Sequence, residues 1–449
     1  MPDDHALDRT WLSEELLTRP GGLTATVRGG QVPTGSVRVS GAKNSATRLI
    51  AAALLTDEPV VLGNAPTELV DLNHKLRFLR GMGAVAERDS ERETVTIDAS
   101  GMETSPFTEE QDYPIRTTYL LVAGQLRKTG FARIPYPGGC KIGSRGYDLH
   151  VMVWRALGCE VEEKPDAIEV RGNGFKAGRI AFPISTVGGT ENALICASVA
   201  NGTTEIVNAY ITPEIEDLIE LLTRMGARIE VFGNSLVKVE GVPELSGARM
   251  DVMPDRIEAI TWVVVALMLG GTIQIDNVPF SEMEVPLLHI EKMGVDLFRN
   301  SNSLWVHPGC ITGRAVQPFE LACGTHPGII SDMQSFYTLM GLIADGTSRI
   351  FDYRYPERIA YARELTKLTG IDAIEAEPGR IVTHGRAPMK AAELTSTDLR
   401  GSMSLLIGAL AAEGTSTIGA FQMALRGYDG LPRKLAKLGV EIDIRETAD

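Results

Sequence analysis

Polar and apolar positions along this chain alternate between two periods in a fixed order. A small-residue turn opens a β-branched strand, a segment of helical periodicity follows, and an apolar-Gly-apolar turn leads into another strand. Gly202-Thr203-Thr204-Glu205-Ile206 leads to Met225-Gly226-Ala227, and Gly271-Thr272-Ile273 leads to Met293-Gly294-Val295. Gly346-Thr347-Ser348 leads to Thr369-Gly370-Ile371, and Gly414-Thr415-Ser416-Thr417-Ile418 to Leu438-Gly439-Val440. Weaker copies run from Glu58-Pro59-Val60 to Met82-Gly83-Ala84 and from Thr129-Gly130-Phe131 to Leu157-Gly158-Cys159. The spacing of about 70 residues is longer than a solenoid unit, so each copy reads as a strand–helix–strand module. The glycine closing each helix suits a left-handed cap. Coincidence among common turn signals is the alternative, and the fixed period argues against it.

A second helix precedes each small-residue turn. These helices start at Gly41-Ala42-Lys43-Asn44-Ser45, Pro114-Ile115-Arg116-Thr117 and Thr186-Val187-Gly188-Gly189. The other three start at Pro254-Asp255-Arg256-Ile257, Ser331-Asp332-Met333-Gln334 and Thr397-Asp398-Leu399-Arg400. Helix N-termini collect free N–H groups and the positive end of the dipole, so they attract anions. Yet four of the starts carry a cation (Lys43, Arg116, Arg256, Arg400), which opposes the dipole. The same local conflict repeated in one place points to function. If the modules pack around a pseudo-three-fold axis, the starts converge on an anionic, phosphorylated substrate. Six modules in 449 residues divide into two domains of three.

Composition narrows the class. Hydrophobic residues make up 44% and charged residues 23%, as in a soluble globular protein. A net charge of -14 disfavours nucleic acid as a partner. Apolar runs such as Trp262 to Leu269 are too short to span a bilayer. Met1 to Pro20 is polar and acidic, without the apolar stretch of a signal peptide, and reads as a loose extension. The five cysteines show no CxxC spacing, which argues against a disulfide framework or zinc and fits a reducing cytoplasm. No metal cluster is visible.

One short stretch carries chemistry. Pro137-Gly138-Gly139-Cys140-Lys141-Ile142-Gly143-Ser144-Arg145 sets a thiol between two cations in a turn that can bend sharply. Lys141 and Arg145 favour the thiolate of Cys140 and can hold an anion. A cysteine in a turn that happens to flank surface charges is the plain alternative.

Ser40-Gly41-Ala42-Lys43-Asn44, the Cys140 loop, Ser331-Asp332-Met333-Gln334, Thr397-Asp398-Leu399-Arg400 and Arg426-Gly427-Tyr428 together resemble the enolpyruvyl transferases. The likeness runs from about Leu23 onward in motif order and spacing. It is to the UDP-N-acetylglucosamine 1-carboxyvinyltransferase branch rather than the shikimate-pathway branch, which lacks the cysteine loop. The resemblance implies an α/β fold of two inside-out, barrel-like domains, each a pseudo-three-fold set of βαβαββ-type modules, with the active site in the interdomain cleft. On that plan residues 1–22 are an N-terminal extension. Residues 43–248 form the domain with the cysteine loop (modules one to three), and 23–42 plus 249–449 form the second (modules four to six).

In such enzymes an acceptor hydroxyl adds to C2 of phosphoenolpyruvate while C3 gains a proton. Phosphate then leaves and C3 gives its proton back. The reaction takes an acid, a base and cations for a carboxylate and a phosphate, and no cofactor. The resemblance makes Cys140 the acid and its loop a lid. It places Lys43, Asn44, Arg145, Arg400 and Arg426 on phosphoenolpyruvate, with Lys43 also catalytic. Asp332 is the candidate base, and Asp398 a second carboxylate near the reacting centre. Arg116, Arg145, Asp148 and Thr186-Val187-Gly188 match contacts to the nucleotide acceptor, and Arg358 a cleft arginine. Plainer readings stand beside these. Asp332 and Asp398 suit helix capping, Lys43 and Arg400 could be solvated charges, and Arg426 a loop charge. Asp255-Arg256 is only weakly placed on substrate, and the remaining cysteines are read as buried or inert.

Three departures cluster at the acceptor end. Gly146 stands where the family has proline, His326-Pro327-Gly328-Ile329-Ile330 replaces a Phe-Pro-Thr run, and Arg354 replaces a small apolar residue. Arg354 could add a phosphate contact or fill sugar space. The acceptor is therefore UDP-N-acetylglucosamine, in peptidoglycan synthesis, or another uridine nucleotide such as UMP, in nucleoside-antibiotic assembly. A non-catalytic nucleotide-binding relative is a third reading, opposed by the retained reactive residues. Cys140→Ser is expected to block alkylation by an epoxide inhibitor and to slow turnover greatly. Cys140→Asp should resist alkylation and keep activity, because a carboxyl can still donate a proton. Full activity in Cys140→Ala, measured as phosphate release, would remove the acid role.

Overall fold

The structure, a computed structural model, describes residues 22–103, 115–136 and 146–447. These fall into two compact units. One comprises residues 22–39 and 255–447, the other residues 40–103, 115–136 and 146–254. The Cys140 loop lies outside the described residues, and so does the extension before Gly22.

One module shows the building plan. Strand Arg179–Thr186 pairs parallel with Thr203–Ala209, with Ile180 opposite Ile206. Thr203–Ala209 pairs antiparallel with Leu236–Glu240, which pairs antiparallel with Arg228–Phe232. Helix Val187–Ala197 joins the first two strands, and Pro213–Arg224 lies between the second strand and the final hairpin. This is a βαβαββ unit. The same order recurs in the sheet of Glu320–Cys323, Thr347–Asp352, Arg380–His384 and Ile374–Glu377.

The other modules borrow strands from distant parts of the chain. Leu23–Arg28 sits between Thr415–Gly419 and Ile442–Glu446 and completes module six. Thr34–Arg38 is the parallel partner of Thr272–Asp276 in module four. Arg249–Asp251 is the parallel partner of Val60–Gly63 in module one. In module two the described sheet has three strands, Phe131–Pro135, Ala167–Arg171 and Glu160–Glu163.

Turn chemistry holds the repeat in phase. Gly83, Gly158, Gly226, Gly294, Gly370 and Gly439, one per module, all have positive φ, between 74° and 110°. A side chain is strained there, so glycine is the residue that lets each helix stop and the chain reverse into the next strand.

The helices that start each module are the interior. Every residue of Arg256–Leu269 except Met268 is buried, and so is every residue of Leu399–Ala411 except Ala411. A helix that is apolar on all sides must be enclosed. In the unit of modules four to six, helices Arg256–Leu269, Gln334–Ile343 and Leu399–Ala411 pack on one another. The sheets lie outside them with one face inward, as the alternating burial of Leu23–Arg28 shows. Helices inside and sheets outside give the inside-out arrangement. Among the described residues no helix is long and apolar enough to cross a membrane.

Charges are buried in the other unit's core. Arg48 Nε lies 2.6 Å from Glu191 Oε2 and ties helix Lys43–Ala52 to Val187–Ala197. Lys75, from helix Val70–Gly81, donates to the carbonyls of Thr47 and of Thr117, the latter at 3.1 Å. Burial pushes the Lys75 ammonium down to about 7. Its folded-state value is thus below the unfolded one, so the unfolded chain binds more protons between about pH 7 and 10.5. Stability should therefore rise with pH across that window, and Lys75→Met should flatten the rise. Urea unfolding of both proteins at pH 7 and pH 9 measures it, and equal slopes would contradict the assignment.

Candidate functional site

In the unit of modules four to six, three helix starts meet through two buried guanidinium groups. Asp398 is the N-cap of Leu399–Ala411, and its Oδ1 accepts from the N–H groups of Arg400 (3.2 Å) and Gly401 (3.1 Å). The same oxygen accepts from Arg358 Nη2 at 2.7 Å. Arg358 Nη1 donates to Asp332 Oδ1 at 2.6 Å and to the Ser331 carbonyl at 3.0 Å. Burial opposes the charge on Arg358, but the two carboxylates outweigh it and hold its pKa well above the ordinary value. Arg358 is therefore committed to holding Asp332 and Asp398 in place.

The two aspartates divide here. Asp332 lies inside a 3₁₀ turn, Ser331–Met333, whose N-cap is Ile330. Its side chain is 29% exposed, against 4% for Asp398. Asp398 does cap, and it is also held by Arg358. Of the two, Asp332 is the carboxylate a ligand can reach.

Arg400 is not a solvated charge. It is 3% exposed, with Nη1 donating to the Gly427 carbonyl at 2.9 Å and Nη2 at 3.5 Å from Asp255 Oδ2. Its guanidinium carbon sits 4.9 Å from the centre of the Tyr428 ring. Asp255 caps Arg256–Leu269 through its other oxygen, on the N–H groups of Ile257 (2.8 Å) and Glu258 (3.1 Å). Arg256 is buried with Nη1 3.2 Å from His326 Nδ1. Arg426 is buried too, which removes the loop-charge reading. Arg354 is half-buried, its N–H on Asp352 Oδ1 at 3.0 Å.

In the other unit Lys43 opens helix Lys43–Ala52 and pairs with Asp71 of Val70–Gly81 at 2.8 Å. Its side chain is 14% exposed, so it too is a fixed charge rather than a solvated one. Asn44 beside it is half-buried. Ser45 donates to Asp217, which burial raises to about 6 and which also accepts the Met253 N–H. Arg116 opens the 3₁₀ helix Arg116–Leu121 and donates through Nη2 to the Gly146 carbonyl at 2.9 Å. Asp148 is exposed at the start of helix Asp148–Ala156. A Cβ at Gly146 would lie 2.1 Å from Asp148 Oδ1. The carboxylate thus fills space that the ring of a proline would take.

Thr186 accepts the Gly189 N–H at 3.2 Å and caps Val187–Ala197, with Val187 and Gly188 half-buried beside it. His150 packs against Gly188, where a Cβ would come within 3.2 Å of its Nε2. It also packs on Tyr119, with ring centres 4.6 Å apart, and burial lowers it to about 3. It is a neutral wall. Asp71, Tyr428 and His150 escaped the sequence reading, and only Tyr428, inside the Arg426-Gly427-Tyr428 run, carried a signal. Cys140 and Arg145 lie outside the described residues. Cys159, Cys196, Cys310 and Cys323 are free and buried. Among the described residues no cluster of metal-binding side chains occurs.

All four helix-start cations therefore have partners within their own unit, and in modules four to six the starts do converge. In modules four to six, fixed guanidinium groups with an accessible carboxylate suit an anionic substrate and a proton transfer. The chain belongs to the EPSP synthase (3-phosphoshikimate 1-carboxyvinyltransferase) family, whose profile matches residues 27–435. It is an enzyme of the enolpyruvyl, or 1-carboxyvinyl, transferase type. A UDP-N-acetylglucosamine 1-carboxyvinyltransferase of Koribacter versatilis is 35% identical over 418 residues, 93% of this chain and 95% of that protein. One of the same name from Novosphingobium aromaticivorans is 35% identical over 424 residues, 93% of this chain and 98% of that protein. The crystal structure of the enolpyruvyl transferase NikO from Streptomyces tendae superposes with a TM-score of 0.85 at 25% identity. It covers 96% of this chain and 100% of its own.

Arg358→Ala should cost about 3–5 kcal/mol, because it leaves a buried carboxylate without its cation. The denaturant midpoint measures this, and a loss below about 1 kcal/mol would show that the pairs contribute little.

Proposed function

We propose that this enzyme moves the enolpyruvyl group of phosphoenolpyruvate to the 3-hydroxyl of UDP-N-acetylglucosamine and releases phosphate. The observation that carries the reading is Asp332, an accessible carboxylate held at one oxygen by buried Arg358. Asp332 takes the proton of the acceptor hydroxyl as its oxygen bonds to C2 of phosphoenolpyruvate. Cys140 protonates C3. Loss of a C3 proton and cleavage of the C2–O bond then release phosphate. Lys43, Asn44, Arg145, Arg400 and Arg426 hold the phosphate and carboxylate, and a guanidinium pairs with a carboxylate through two parallel hydrogen bonds. Arg116, Asp148 and the Thr186–Gly188 junction face the nucleotide. Asp398 and Arg358 keep the reacting edge in register. The relatives' names support this acceptor, and the free thiols suit the reducing cytoplasm.

A second acceptor, UMP or another uridine nucleotide, is favoured by two local features. The Asp148 carboxylate lies against Gly146 where a proline ring would be, and a half-buried arginine, Arg354, replaces a small side chain. Phosphate release from phosphoenolpyruvate with each acceptor in turn decides between them. Turnover with UDP-N-acetylglucosamine is expected. Turnover with UMP and none with the sugar nucleotide would overturn the acceptor and keep the reaction. Binding of both substrate types without release from any acceptor would overturn the reaction.

A further inference from the structure

We infer that Tyr428 is a positioning residue that holds the Arg400 guanidinium in place for a planar carboxylate. The inference rests on the proposed reading that Arg400 holds the carboxylate of phosphoenolpyruvate. Three contacts define the guanidinium. The guanidinium carbon lies over the Tyr428 ring, the Gly427 carbonyl takes Nη1 and Asp255 faces Nη2. The ring limits where the guanidinium can sit, and the two edge contacts fix the direction of its nitrogens.

The ring is itself anchored. Tyr428 is 2% exposed, and its hydroxyl lies 3.0 Å from Thr261 Oγ1. Thr261 gives its only hydroxyl hydrogen to the Ile257 carbonyl at 2.7 Å. The Tyr428 hydroxyl is therefore the donor in its contact with Thr261, and this fixes where the ring can sit. Burial pushes the phenol up to about 12, so it stays a donor through the working pH range. Asp255 and Thr261 both belong to the helix Arg256–Leu269 and its cap, whereas Arg400 belongs to Leu399–Ala411. Arg400 thus takes part of its orientation from a neighbouring module, through Asp255 and the Thr261 anchor of Tyr428. A guanidinium already held in position loses little freedom when it forms its fork with a carboxylate, and affinity rises accordingly.

The test titrates phosphoenolpyruvate and UDP-N-acetylglucosamine separately into the full chain by calorimetry. Tyr428→Leu removes the aromatic face and should raise the phosphoenolpyruvate Kd about fivefold to thirtyfold. Tyr428→Phe keeps the ring but loses the anchoring hydroxyl, and should recover only part of that Kd. The nucleotide Kd should stay within about twofold in both variants, which a general loosening of the core would not allow. Tyr428→Met, longer and more adaptable than leucine, reads the same way if the leucine variant fails to fold. Equal phosphoenolpyruvate affinity in wild type and Tyr428→Leu would overturn the inference, and so would equal weakening of both ligands. Arg400→Ala separates the two layers. If it leaves phosphoenolpyruvate binding intact, the reading of Arg400 itself falls. If it abolishes binding while Tyr428→Leu does not, only the positioning role falls.

Discussion

Arg358 carries its charge in a site where only 4% of its side chain is exposed, and that placement constrains much of what surrounds it. A guanidinium out of water is tolerable only when carboxylates and carbonyls meet it closely. Here Asp332, Asp398 and the Ser331 carbonyl do so, which draws the chain before helix Ala360–Thr369 back onto the starts of two interior helices. Arg400 repeats the arrangement one step along, from module six to Asp255 of module four. The interior helices are thereby tied to one another at the ends where their dipoles are positive. Asp255 and Asp398 cap their helices and also meet Arg400 and Arg358, so stability and charge placement are served by the same side chains.

The other unit solves the same problem with different residues. Arg48 with Glu191, and Lys75 with two carbonyls, cross-link the interior helices below their starts. Lys43 is held by Asp71 from an outer helix. Fixed cations of this kind lose little freedom when an anion arrives. The cost is a core that depends on several buried charges being matched at once.

Much of this was legible from local sequence, and the rest was not for identifiable reasons. The six closing glycines and the six helix starts are local features, set by backbone sterics and capping chemistry within a few residues, and each lies where the pattern placed it. The periodic pattern carried no mark of Thr34–Arg38 pairing in module four or Arg249–Asp251 in module one, because a parallel partner far away in sequence leaves none, and only the family resemblance placed residues 23–42 with modules four to six. Residue type alone made Asp332 and Asp398 equivalent. Their separation into an accessible carboxylate and a buried cap depends on Arg358, which approaches from another part of the chain. Asp71 had no signal at all, since an acid in the first turn of an amphipathic helix is ordinary. The acceptor end is the least legible part, because Gly146 and Arg354 change shape rather than reactive chemistry.

Asp332, held in place by Arg358, is proposed as the base of the enolpyruvyl transfer. Single-turnover phosphate release by Asp332→Asn, with binding of phosphoenolpyruvate and nucleotide checked by calorimetry, tests it most directly. Both ligands should still bind while release slows by about 10²–10⁴-fold, the usual contribution of a positioned base. Release at a near-wild-type rate with both ligands bound would contradict it.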